Sequence, residues 1–206
     1  MTVEPAATPL ACRERLVRAA SEVFREEGYR ASIDAIAARA GVARQTIYNH
    51  FASKEDLFRE VANLAAADIL VSLDGEAKDL REHLLRFGAA FRRRILGDEG
   101  LALYRTVFAE APRFPELART FFETGSGQTI RGVAAFLERA MAEGHLRRED
   151  PTYAAETLLA MLECWDRSRR LFGAPARAPA AERARVARIV DHYLRAFAPA
   201  TDRKNP

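Results

Sequence analysis

Cysteine is scarce in this chain. Only Cys12 and Cys164 occur among 206 residues, far apart in sequence. Two such thiols exclude a disulfide-dense secreted scaffold and any tetrahedral cysteine zinc site. The four histidines, His50, His83, His145 and His192, show no i, i+4 spacing and no cysteine partner, so neither a metal nor a cofactor is expected. Long apolar runs are also missing, and no window reaches the roughly 20 residues of a spanning helix. Met1 to Leu10 lacks a basic start followed by an apolar stretch, which argues against a signal peptide. The expectation is a soluble, cytoplasmic chain with no membrane partner. A strong excess of one charge is absent as well: Lys and Arg total 32 against 29 Asp and Glu, a net charge of +3. That balance permits a nucleic-acid partner without demonstrating one, so the placement of the charges must decide.

What the chain does have is helical periodicity. Hydrophobic residues make up 49% of it, enough for a real core without covalent staples. Leu16, Ala19, Ala20, Val23 and Phe24 recur at i, i+3, i+4, i+7 and i+8, one face of a helix that Gly28 ends as a left-handed cap. Ser32 opens a second helix, with Asp34 in its first turn, and Gly41 breaks it after Ala40. A short third helix runs from Ala43 to His50, with Ala43, Ile47 and Phe51 facing inward. Ser53 caps a long fourth helix that turns Leu57, Val61, Leu64 and Ile69 inward and weakens at Asp74-Gly75.

A fifth helix carries Leu84, Phe87, Phe91 and Ile95, and a sixth carries Leu101 to Phe108 before Pro112 and Pro115. The seventh runs from Pro115 to Met141, with a kink or break expected at Gly125 and Gly127. Asp150-Pro151 starts an eighth helix, continuing through Trp165. An Ala/Pro-rich connector precedes a ninth, marked by Val186, Ile189, Val190, Tyr193 and Phe197. No strand alternation or internal repeat appears, so the fold class is all-α with about nine helices. Residues 1–11 and 199–206 read as tails, 12–60 as a helix-turn-helix domain, and 61–198 as a larger helical domain.

The stretch from Ser32 to Lys54 carries the functional signal. Two helices joined by a tight glycine turn form the layout in which the second helix enters the DNA major groove. From Ala35 to Lys54 there is no acidic residue, while Arg39, Arg44, His50 and Lys54 are basic or titratable. Arg44, Gln45, Thr46, Tyr48 and Asn49 project outward in this reading. An outward Arg can pair with guanine, Gln or Asn with adenine, and a Thr methyl can touch thymine. Ser53 and Lys54 are placed to receive a phosphate through backbone N–H groups and a charge. The bland alternative is a solvated polar helix, but the turn, the acid-free window and the adjacent cap coincide here.

At these residues the sequence resembles a known family. Gly28-Tyr29-Arg30-Ala31-Ser32-Ile33, Ile36-Ala37-Ala38-Arg39-Ala40-Gly41-Val42, Thr46-Ile47-Tyr48-Asn49-His50-Phe51 and Ser53-Lys54-Glu55-Asp56-Leu57-Phe58 look like the N-terminal domain of TetR-family transcriptional regulators. The remainder resembles that family's AefR-like branch in helix number and order. The resemblance implies a homodimeric repressor that binds a palindromic double-stranded DNA operator and is released by a small, largely apolar effector. Effector binding and dimerisation by residues 61–198 are implied only by this resemblance. It also implies that Arg44, Gln45, Thr46 and Asn49 face bases or line the groove. Tyr48, His50, Lys54 and Ser32 then correspond to positions that contact phosphates.

Phe87, Phe91, Tyr104, Phe108, Phe121, Phe122, Met161 and Trp165 are the candidates for lining the effector pocket, although most helical aromatic stripes are ordinary core. The eighth and ninth helices are the candidate dimer interface, with closure of the monomer's own core as the alternative. Arg92-Arg93-Arg94 and Arg167 to Arg170 read as solvated faces, and Cys164 as a buried, inert thiol. Gly125-Ser126-Gly127 follows no strand and forms no nucleophile elbow, so no enzyme is expected. The rival readings are an activator or effector-independent DNA binder and, from a different class, an all-α enzyme or interaction module.

Overall fold

The computed structural model describes residues 9–74 and 79–199. Most of the two expected tails, and Gly75, lie outside that range. The described residues contain eleven α-helices and no strand. They are α1 (Pro9–Glu27), α2 (Ile33–Ala40), α3 (Arg44–His50), α4 (Lys54–Leu70, extended by a 3₁₀ turn at Val71–Leu73), α5 (Leu80–Leu96) and α6 (Asp98–Glu110). After these come α7 (Pro115–Phe121), α8 (Gly127–Ala142), α9 (Pro151–Glu163), α10 (Asp166–Leu171) and α11 (Pro179–Ala196).

The all-α class stands, and two interruptions turn the nine expected runs into eleven segments. Between α7 and α8 lies one π-helical turn, Phe122–Ser126. It falls where glycine weakens the helix and where the Thr124 hydroxyl donates to the Thr120 carbonyl at 2.5 Å. Between α9 and α10, Cys164 adopts φ 47°, the one non-glycine residue with positive φ among those described. The thiol expected to be buried is exposed there, because the helix ends beneath it instead of continuing. At the other end of the chain, α1 begins at Pro9, inside the expected tail, since proline at a first helical position gives up no needed N–H.

The chain divides into two compact units. One joins residues up to Leu64 with Ala102–Gly125; the other joins Ala65–Leu101 with Ser126 onward. The first unit is built on α1, whose Leu16, Ala20, Val23 and Phe24 pack against Ile36 of α2, Ile47 of α3 and Leu57, Phe58 and Val61 of α4. Phe24, Tyr29 and Phe58 form a ring cluster with centroids 5.3–5.9 Å apart. Phe114 and Phe121, from residues distant in sequence, complete that cluster at 5.9 and 6.2 Å. Leu64 and Ala43, expected inward, are exposed. Leu64 lies beyond the turns that cover Leu57 and Val61, and Ala43 stands just outside α3 as its N-cap.

In the second unit α8 packs along α9, and α11 lies against α5 and α9. Leu84, Phe87, Val133, Leu137, Leu158, Leu162, Val190 and Tyr193 form its core. The close approach of α5 to α9 and α11 needs Gly88: a Cβ there would meet Val186 at 2.9 Å and Leu162 at 3.0 Å. The buried Tyr193 hydroxyl donates to the Ala154 carbonyl at 3.1 Å, which satisfies its one strong donor.

Candidate nucleic-acid interface

The interface is assembled from caps. The Ser32 hydroxyl accepts from the Ala35 N–H at 3.0 Å and starts α2. Gly41 ends it in the left-handed region, φ 65° and ψ 39°, and the Gly41 and Val42 N–H groups bond back to Ala38 and Ala37. This is a Schellman-type close, and a side chain at Gly41 would be strained. The turn delivers α3 with Ile47 buried and Arg44, Gln45, Tyr48 and Asn49 exposed. Thr46 and His50 are half-buried, and the His50 ring lies 6.4 Å from that of Phe51.

The outward side chains are tethered to one another. Arg44 donates to Asp34 at 3.1 Å and to the Tyr48 hydroxyl at 3.3 Å, with its guanidinium 5.5 Å from the Tyr48 ring centre. Gln45 donates to Asn49 at 3.2 Å, one helical turn away. Two amides and one guanidinium therefore sit on a single face, each already oriented by a weak exposed partner.

The window read as unopposed is less so in three dimensions. Arg39 reaches Glu22 at 3.1 Å and Glu26 at 2.5 Å on α1, and Arg44 has Asp34. Acids that lie outside the window in sequence fold back onto it. Lys54 is half-buried with its ammonium 4.4 Å from the Tyr29 ring centre. Burial pulls that ammonium below the ordinary lysine range, against the pull of Glu55 and Glu110.

The start of α4 is a reciprocal cap. The Asp56 N–H donates to the Ser53 hydroxyl at 3.1 Å, while the Asp56 carboxylate accepts from the Ala52 N–H at 3.3 Å. The Glu55 carboxyl is held below its ordinary range by its own backbone N–H, against the raising effect of burial, with help from Tyr29 and Ser53. The N–H groups at this helix start are thus already partnered by local side chains. Asp34 and Asp56 therefore stand among the candidate residues, and the sequence alone gives Asp34 only a first-turn role. A first-turn acid facing a basic residue across a short turn is the signal that finds Asp34.

The aromatic candidates separate by unit. Phe87 and Phe91 stack at 5.8 Å, both buried in the second core, and Met161 is half-buried against that core. In the first unit Tyr104 stacks on Phe108 at 5.7 Å and meets Phe121 edge-on at 5.6 Å. Phe108, Phe122 and Trp165 are exposed.

Two family models match this chain. Residues 16–61 match the TetR family of bacterial regulatory proteins, and residues 82–199 match the C-terminal domain of AefR-like transcriptional repressors. The chain belongs to the TetR family. This TetR-family regulator is 30% identical to the HTH-type transcriptional regulator YezE of Bacillus subtilis over 144 residues, 66% of this chain and 73% of YezE. Over 60 residues it is 47% identical to the HTH-type transcriptional activator FasR of Mycolicibacterium smegmatis, covering 26% of this chain and 27% of FasR. The solved structure of the flavonoid-responsive regulator FrrA superposes with a TM-score of 0.72 at 30% identity, covering 92% of this chain and 98% of FrrA. The TetR-family chain is thus a DNA-binding transcriptional regulator. Among its described residues no helix is long and apolar enough to cross a membrane.

Proposed function

We propose that the chain is a cytoplasmic, homodimeric repressor that reads a palindromic operator with α3 and is released by a small-molecule effector. The observation that carries the reading is the exposed set Arg44, Gln45, Tyr48 and Asn49, projecting from a helix pinned by Ile47. Thr46 lines the same groove. Ser32, Tyr48, His50 and Lys54 hold the phosphates on either side. Two copies place two reading helices about 34–36 Å apart, one turn of duplex. The outward faces of α9 and α11 supply the pairing surface, two helices from each subunit.

The effector in this reading is largely apolar and aromatic. Its receivers are the half-buried Tyr104 and the exposed Phe108 and Phe122, with Phe121, which also packs on the first core, edge-on to Tyr104. The flavonoid response in FrrA's name supports that chemistry. α4 belongs to both units, changing over at Leu64–Ala65. An effector that prefers a different setting of α4 alters the spacing of the reading helices. A near-complete switch needs about 5.5 kcal/mol of differential binding, so partial relief is the easier outcome for a single ligand.

Footprinting of the purified protein on its own upstream DNA, with and without cell extract, tests the reading. A protected inverted repeat that is lost on adding extract supports it; absence of any preferred site at low salt overturns it. The activator reading has support of its own in the 60-residue match to FasR, which is named a transcriptional activator. Deleting the gene separates the two, since transcription from the footprinted promoter rises for a repressor and falls for an activator.

A further inference from the structure

The second unit holds a cavity of about 750 Å³ between α5, α10, α11 and the connector 172–178. Its volume is that of a small-molecule site. Six arginines and only two carboxylates line it, an excess of four positive charges (six minus two). Both carboxylates are already engaged. Asp166 accepts from the buried Arg92 at 2.9 Å and from Arg177 at 2.7 Å, and Glu182 accepts from Arg92 at 2.5 and 3.1 Å. Arg170 is tied to Asp98 and to two backbone carbonyls.

That leaves Arg93, Arg169 and Arg183 on the lining, with no hydrogen-bond or ion-pair partner for their side chains among the described residues. Beside them Leu96, Pro175, Pro179 and Val186 form an apolar wall. Unopposed guanidiniums next to hydrocarbon recognise an anion on an apolar body, because each planar fork takes a carboxylate or phosphate edge-on.

We propose that this cavity binds a small organic anion, a carboxylate or phosphate monoester, with its charged head on Arg93, Arg169 and Arg183 and its carbon chain against the Leu96–Val186 wall. The Arg92–Asp166–Glu182 cluster forms the rigid back of the site. This site is separate from the aromatic receivers of the first unit and does not rest on operator binding.

The protein carries its own reporter. Trp165, its one tryptophan, directly precedes Asp166 and is 76% exposed. Octanoate, octyl phosphate, octanol and inorganic phosphate are titrated into the full chain without DNA, each below its aggregation concentration, and followed by Trp165 emission and by calorimetry. The expected result is saturable binding of octanoate or octyl phosphate at least tenfold tighter than octanol, with octyl phosphate at least tenfold tighter than inorganic phosphate. Whichever of the two anions binds tighter identifies the head group as carboxylate or phosphate. The triple variant R93Q/R169Q/R183Q, with an unchanged unfolding midpoint, should lose at least tenfold in affinity. Equal affinity for octanol, no saturable heat with any probe, or unchanged binding by the folded triple variant overturns the proposal. Because no DNA is present, none of these outcomes bears on the operator reading.

Discussion

Two arginines, one in each unit, meet a carboxylate at nearly the same distance and do opposite things. Arg44 reaches Asp34 at 3.1 Å, with 57% and 63% of the two side chains exposed. Arg92 reaches Asp166 at 2.9 Å, with 1% and 8% exposed. The exposed pair is worth at most about 1 kcal/mol, so a competing hydrogen-bonding group can take its place. The buried pair has lost its water and cannot exchange; removing one partner strands a charge in low dielectric. The guanidinium proposed to act on DNA is kept where its partner is cheap to replace, and the one that ties helices together is sealed.

The comparison breaks most visibly at Arg92. R92A should cost about 3–5 kcal/mol, because it leaves Asp166 and Glu182 facing one another without their shared donor. Urea unfolding of the second unit measures that loss, while operator affinity per folded molecule should hold. A pH titration sharpens the same contrast. Burial acts to raise the Asp166 carboxyl, but hydrogen bonds from Arg177 and Arg92 outweigh it and hold the group below the ordinary aspartate range. Its stabilising contribution is therefore complete above the unfolded-state value and is lost as pH falls through the lower folded one. The wild type should lose stability over that acid window, and R177Q should lose less of it.

At the reading helix the fold should be indifferent and the binding sensitive. R44A or Q45A should cost about 1–3 kcal/mol of discrimination at particular operator positions with little change in unfolding; an unaltered preference in a randomised-operator selection would count against base contact. Lys54 stands between the extremes, half-buried over Tyr29. K54Q should weaken binding to all sequences alike and lower the salt slope by about one, and an unchanged slope would mean its ammonium stays on the ring. The smallest effect is expected from D34N. It should change stability by under about 1 kcal/mol while releasing Arg44, seen as tighter non-specific binding at low salt.

The local parts of the fold were legible because local chemistry determines them. Ser32, Gly41 and Ser53 are caps whose partners lie three to five residues away, and the structure uses each as a cap. Most of the inward face of α1 follows from its spacing alone. What escaped was long-range. Arg92, Arg93 and Arg94 look alike in sequence, yet successive helix positions point about 100° apart. Only Arg92 shares the face of Gly88 and Ile95, and its partners Asp166 and Glu182 lie 74 and 90 residues further on. The candidate base-reading side chains were identifiable from a single stretch, whereas the acid that holds Arg44, Asp34, comes from the neighbouring helix α2. Nor does any periodicity in Tyr104 to Phe121 reveal that these residues group with the N-terminal unit.

That grouping bears on how such regulators can be recombined. Phe114 and Phe121 close the ring cluster around Tyr29 and Phe58, and Val107 is buried in the same core. A hybrid made with one cut after the fourth helix would inherit its recognition head from one parent and the lid of that head from the other. Grafting a new sensory half onto this chain therefore takes three junctions, near residues 64, 101 and 125, and the transplanted piece is an interleaved pair of segments.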